Sequence, residues 1–319
     1  MNPAFRSFGA IATASAAAAL LAACLAPDTR SEAAVPRFIV DTAWPAPLPN
    51  GWILGQVSGI ATDADDHVWV LQRPGSLSED ERGATLDPPQ SKCCAAAPPV
   101  LEFDAAGKLL RSWGGRGAGY DWPQNEHGIH VDSGGFVWIT GNGADDGQIL
   151  KFTRDGKFVL QIGKPPVDGA TKPTGRRTAP PTAEQLLQFD SPVHCVRIAR
   201  DGLVYVCDRL NNRIQVFRKD GTFVKEFTVE PRTAGNGSVW DIVLSRDLAQ
   251  RWLFLADGRN NQVLTLARDS GAVQGTLGRP GRYAGEFHWV HDLAIDSQGN
   301  LYAGEVDTGK RAQKFVRAP

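Results

Sequence analysis

Three histidines carry the chemical argument. His127 stands in the run Glu126-His-Gly-Ile, His194 in Pro192-Val-His-Cys-Val and His291 in Val290-His-Asp-Leu, and each opens an apolar, β-favouring stretch. The chain has 6 His in all, so three at one position of a repeated pattern is more than random scatter supplies. Neutral imidazoles are nitrogen donors. Three that converge leave a fourth position open, the ligand set of a catalytic rather than a structural zinc. Such an ion polarises an oxygen and lowers the pKa of a hydroxyl. Arg73 and Arg209 end strands beside the same positions, and a guanidinium fork there holds a carboxylate by paired hydrogen bonds. The plainer alternative is three structural histidines, each bonded to its own neighbour, with the arginines in ordinary ion pairs such as Arg209 with a nearby Asp.

The elements that must position these residues form a repeat. Five segments share an apolar strand, an Asp/Gly turn and a second strand rich in Val, Trp, Tyr and Leu. The first strands open at Ser58, His127, His194, Trp240 and His291. The second strands are VWVLQR, VWITGN, VYVCDR, LFLADG and LYAGEV, and hairpins such as FTRDGKFVLQIG follow. In an antiparallel pair the start of one strand lies beside the end of the next. The column Ser58, His127, His194, Trp240, His291 therefore faces the column Gln72, Gly141, Asp208, Asp257, Glu305, with Arg73 and Arg209 one residue further on. The pattern predicts an all-β propeller of five recognisable four-stranded blades, with first strands innermost and both columns ringing one mouth. The fifth repeat lacks its last strand, and Arg37-FIVDTAW from the N-terminal side supplies it. Spacers at about 74–98 and 164–184 read as insertions. The rival is another all-β stack, such as a sandwich. Of the other histidines, His67 falls in a turn at the opposite end, His130 has the parity to face a neighbouring blade, and His288 lies in an entry loop. Trp122, Trp240 and Trp289 are rim aromatics, better suited to packing than to a platform. Tyr120 and Tyr283 lie in entry loops.

The 319 residues are 42% hydrophobic and 22% charged with a net charge of −1. That balance excludes global disorder and a general nucleic-acid binder, which would need a basic face. Residues 1–24 read as an export signal: Arg6 is the one charge before Asp28, an Ala-rich apolar run follows, and Leu21-Ala-Ala-Cys24 resembles a bacterial lipobox. Residues 25–34 are then a tether and 35–319 the propeller domain. The lipobox resemblance implies the outer membrane, since Leu25 rather than Asp follows Cys24, with the membrane met only through a lipid on Cys24. The protein is expected in the cell envelope, as an outer-membrane lipoprotein or periplasmic, and as a monomer. Export permits disulfides. Adjacent Cys93 and Cys94 do not easily bridge each other, whereas Cys195 and Cys207 fall on neighbouring strands and can. None of these spacings is a zinc ribbon or a redox pair.

The run Asp208-RLNNRIQVF resembles the NHL repeat, whose propellers usually have six blades. Across residues 52–316 the chain is similar to bacterial relatives of peptidyl-α-hydroxyglycine α-amidating lyase, which cleaves a C-terminal α-hydroxyglycine to a peptide amide and glyoxylate. The resemblance implies zinc on His127, His194 and His291, a catalytic arginine at Arg209 in CDRLNNR, and a second at Arg73. It also implies a calcium ion, for which the sequence offers no handle. Two departures stand out. The blade that carries the family's catalytic Tyr has no counterpart between Gly163 and His194, and the family's Met near the last His is Trp289. The expected function is an exported zinc-dependent carbon–nitrogen lyase acting on a small-molecule or peptide substrate. The alternatives are a non-catalytic propeller that binds a peptide, glycan or envelope protein, and a lactonase-like hydrolase with calcium on Glu305, Asp257 and Asp208.

Overall fold

Runs of Val, Ile, Leu and aromatic residues broken by Asp-Gly turns build strand after strand, with only isolated single turns of 3-10 helix among the described residues. The computed structural model describes residues 34–143, 145–163 and 193–319. The expected export signal with Cys24, nearly all of the expected tether and the second spacer lie outside them.

There are five four-stranded antiparallel sheets. β1 (Phe38–Asp41) and the short β2 (Trp52–Ile53) precede the first sheet, made of β3 (Gln56–Thr62), β4 (Val68–Arg73), β6 (Val100–Phe103) and β7 (Leu109–Trp113). β5 (Ala95–Ala96), in the first spacer, pairs in parallel with β2. The second sheet holds β8 (Glu126–Val131), β9 (Val137–Gly141), β10 (Gln148–Phe152) and β11 (Phe158–Gly163). The third holds β12 (Cys195–Ile198), β13 (Val204–Asp208), β14 (Arg213–Phe217) and β15 (Phe223–Thr228). The fourth holds β16 (Asp241–Leu244), β17 (Trp252–Asp257), β18 (Gln262–Ala267) and β19 (Val273–Leu277). The fifth holds β20 (Val290–Ile295), β21 (Leu301–Glu305) and β22 (Arg311–Arg317) and is completed by β1, which pairs with β22 from Phe38↔Arg317 to Asp41↔Lys314.

The sheets are the blades of a five-bladed β-propeller. Their first strands meet in succession around one axis: β8 against β3, β3 against β20, β20 against β16, and β16 against β12. Each blade has two faces to cover, so its middle strands read as unbroken apolar runs, and β4 is buried from Val68 to Gln72. The outermost β15, by contrast, is mostly exposed. Four hydrophobic clusters fill the spaces between successive blades, from the third round to the second by way of the fourth, fifth and first. Among the described residues no such cluster joins the second and third blades. On that side β12 leaves Val196 and Ile198 57% and 59% exposed.

Cys195 and Cys207 are directly opposite in the β12–β13 ladder and form a disulfide. The expectation for Cys93 and Cys94 is corrected. They are bonded to each other, with their Cα atoms 3.1 Å apart.

Candidate metal centre

Three of the five inner strands carry an irregularity at one position. The β3–β4 register slips between Val57 and Gly59, β8–β9 between Glu126 and Gly128, and β20–β21 between Val290 and Asp292. Ser58, His127 and His291 are therefore the extra, unpaired residues of β-bulges, which re-aim a side chain out of the alternation. His194 and Trp240 reach the same level by preceding their strands, each with its N–H donated to the neighbouring strand (Cys207 O at 2.9 Å, Ala256 O at 3.0 Å).

The result is a closed trio. Ring centroids lie 5.2 Å apart for His127 and His194, 5.0 Å for His127 and His291, and 4.8 Å for His194 and His291. One nitrogen from each ring falls within 4.8 Å of the others. His194 Nδ1 donates to the Trp240 carbonyl at 2.5 Å, which leaves the Nε2 lone pair free. His194 Nε2 and His291 Nδ1 are buried with no hydrogen-bond partner. Burial pushes all three imidazoles toward the neutral form, aided by the positive charges of Arg209 and, for His127 and His291, of Arg73; His127 is pushed down to about 4. Neutral, desolvated, unpartnered nitrogens are what a borderline-soft divalent ion requires. Two ligands on one zinc stand roughly 3.3 Å apart, and the three nitrogens already lie within 4.8 Å of one another. The donor set fits zinc.

Arg209 begins the 3-10 turn Arg209–Asn211 and lays its guanidinium over the Trp240 ring at 4.9 Å. Its Nε is buried without a partner, and no carboxylate pairs with it among the described residues. Burial alone lowers it to about 10. Arg73 is on the same rim but is tied into the protein. Its Nε donates to the Glu126 carbonyl at 2.7 Å, and its outer nitrogens to Gln56 Oε1 at 2.7 Å and Asn142 Oδ1 at 3.4 Å.

The carboxylates of the facing column turn into their own blades. Asp208 accepts from Asn211 and Arg213, Asp257 from Asn260 and Gln262, and Glu305 from Arg311, Gln313 and the His288 N–H. All three carboxylates are buried, so they anchor the blade tops rather than line the channel. At the far end His67, Asp63 and Glu102 converge, but Arg154 fills their centre, 2.6 Å from Glu102 and 2.7 Å from Asp63. That group is an ion-pair network. His288 bonds Thr308, and His130 is exposed on β8. Tyr120 donates to the Gly115 carbonyl and packs on Trp122, Phe152 and Phe158, while Tyr283 is 80% exposed.

Two features escape a reading of the sequence alone. Trp240 is 3% exposed; it fixes His194 through its carbonyl and carries Arg209 on its ring. Below the histidines, Arg197, Asp241 and Asp292 floor a cavity of about 90 Å³. The repeated Asp one residue after the column position, in Trp240-Asp241 and His291-Asp292, was the available signal.

No protein-family model and no curated protein matches the chain. Among solved structures it is similar to selenomethionine-substituted virginiamycin B lyase from Staphylococcus aureus, at 14% identity and a TM-score of 0.45 over 88% of this chain and 89% of that one. It is also similar to a streptogramin B lyase, at 14% identity and a TM-score of 0.33 over 89% and 98% of the two chains. A third is a protein of unknown function from Bacteroides caccae, at 11% identity and a TM-score of 0.33 over 77% of this chain and 69% of that one.

Proposed function

We propose that the chain is an exported, zinc-dependent propeller lyase that cleaves the C–N bond of a hydroxyglycine-like substrate and releases glyoxylate. The observation that carries this reading is the convergence of three imidazoles pushed toward the neutral form, two of them with a buried nitrogen that has no hydrogen-bond partner, beside the Arg209 guanidinium, which pairs with no carboxylate among the described residues. His127, His194 and His291 would hold the ion, which supplies Lewis acidity toward the substrate's hydroxyl oxygen. Arg209 receives the substrate carboxylate: a buried, unpaired cation gains most from an anion that arrives with its own charge. Arg73, with an outer nitrogen 3.4 Å from Asn142, adds positive charge from across the rim. A carboxylate and a hydroxyl on one carbon match a cation beside a metal. In the reaction the hydroxyl proton is lost, the C–O bond becomes a carbonyl, and the C–N electron pair leaves with nitrogen, which takes up a proton. The reading carries with it a cell-envelope location, supported by the lipobox-like run ending at Cys24 as lipid anchor, and a monomeric protein.

A second reading is a binding propeller that holds a carboxylate ligand on the same centre without chemistry. It is favoured by the placement of Tyr120 and Tyr283, neither of which hydrogen-bonds any of the three histidines.

Metal analysis beside an assay for glyoxylate release from N-acyl-α-hydroxyglycine tests both. The lyase reading expects one zinc per chain, its loss in His194→Ala, and turnover by the wild type. A metal-free, inactive protein overturns both readings; stoichiometric zinc with carboxylate binding but no glyoxylate selects the second.

A further inference from the structure

The floor of the cavity under the histidines has no part in the chemistry just described. Arg197 reaches in from β12, Asp241 from the start of β16 and Asp292 from β20. One Arg197 nitrogen lies 2.7 Å and 2.9 Å from the two oxygens of Asp241 and 3.4 Å from Asp292 Oδ1. The remaining oxygens hold the inner strands together: Asp241 Oδ2 accepts the Leu293 N–H at 2.9 Å, and Asp292 Oδ2 accepts the Ile60 N–H at 3.0 Å. Two carboxylates thus converge from neighbouring blades on a single nitrogen, in a layer that draws on β3, β12, β16 and β20.

Hard divalent cations are held by carboxylate oxygens that converge in this way. The resemblance in sequence implies a calcium ion, and these residues do not fit one. The space between the two acids is taken by a side chain that stays charged at any accessible pH. Desolvation sharpens the point. The Asp241 side chain is 3% exposed and that of Asp292 14%, so the pair needs a positive charge close by.

We propose that Arg197 is a built-in cation that takes the place of a calcium ion on the channel floor, so the protein carries no calcium there, and that removing Arg197 turns Asp241 and Asp292 into a calcium site. The inference stands apart from the reading of the histidines, because calcium and zinc are counted separately.

The test uses full-length protein equilibrated with calcium, with calcium and zinc contents measured together and thermal unfolding followed with calcium or EGTA. Wild type is expected to hold no stoichiometric calcium and to melt at the same temperature in both. Arg197→Met melts lower in EGTA, recovers in millimolar calcium and retains about one calcium per chain. Arg197→Lys, which keeps the charge, behaves as wild type. Stoichiometric calcium in the wild type overturns the proposal, as does an Arg197→Met protein that gains neither calcium nor calcium-dependent stability. Should that variant not fold, the wild-type calcium count and the response of Arg197→Lys to EGTA decide the matter, since a Lys variant that depends on calcium also overturns it.

Discussion

The Trp240 carbonyl accepts the His194 Nδ1 hydrogen at 2.5 Å, and the ring of the same residue lies 4.9 Å beneath the Arg209 guanidinium. Substitution separates the two roles, because every side chain keeps the carbonyl while only an aromatic keeps the cation–π contact. A cation–π contact is worth about 0.5–1 kcal/mol at an exposed site and about 2 kcal/mol when desolvated, and Arg209 is partly buried. Trp240→Leu should therefore keep its zinc but bind a carboxylate such as acetylglycine roughly tenfold more weakly, and Trp240→Phe should recover most of that loss. Titration calorimetry beside metal analysis reads both, and parallel loss of zinc and carboxylate in the Leu variant would mean the ring merely supports the fold. A second prediction concerns His127, which burial and then Arg73 and Arg209 push from 6.5 to about 4. The unfolded chain takes up this proton near the upper value and the folded protein only near the lower one. Stability is therefore fully present above about pH 6.5 and lost as pH falls toward 4, by about 3 kcal/mol at the lower end. Urea denaturation of metal-free protein across that window should show the decline, and His127→Gln should make it shallower by about one proton's share, the remainder belonging to His194 and His291, which burial also pushes toward the neutral form. A variant whose profile keeps the wild-type slope would remove His127 from the explanation.

At the scale of strands, the trio depends on β3 and β8 lying unusually close. A Cβ at Gly59 would stand 3.1 Å from the Ile129 nitrogen and 3.2 Å from the His127 carbonyl oxygen. Gly59→Ala must push β8 outward, and overpacking of this kind costs about 1–3 kcal/mol. The variant should melt lower and bind zinc more weakly in competition with a chelator, whereas Gly75→Ala, with open space around its Cβ, should do neither. The columns themselves were legible in the sequence, because strand starts and strand ends recur at matching offsets from His127, His194 and His291. The bulges were not. A slip in register adds no unusual residue type; it changes only which backbone groups pair, and Ser58, His127 and His291 look like ordinary strand residues until the ladder is seen. Arg197, Asp241 and Asp292 were hidden for another reason. They meet across three blades, and residue spacing along one chain does not report distances between strands far apart in it.

The ring of inner strands runs from β8 through β3, β20 and β16 to β12, so the fifth blade sits at its middle and must hold neighbours on both sides. That blade is also the one built from both ends of the domain. The missing fourth strand in the repeat at QKFVRA predicted this, since three strands leave one row of backbone groups unpaired. β1 fills the row, and it adds packing as well as hydrogen bonds: Phe38 meets Phe254 of the fourth blade edge-on at 5.3 Å, and Val40 joins the cluster between the fourth and fifth blades. Deleting residues 35–41 should therefore do more than fray an edge. It exposes β22 and opens one side of the core that Phe287, Phe315 and Phe254 share, so the melting temperature should fall by roughly 10 °C or more, given about 2–4 °C per kcal/mol at this size, and the protein should self-associate through the bared edge. A synthetic peptide covering residues 36–44, added in trans, should restore both the melting temperature and the monomer, because it returns the strand without the covalent link. If the truncated protein melts as the full domain does, or the peptide has no effect on it, then β1 does not close the ring and the fifth blade is stable on three strands.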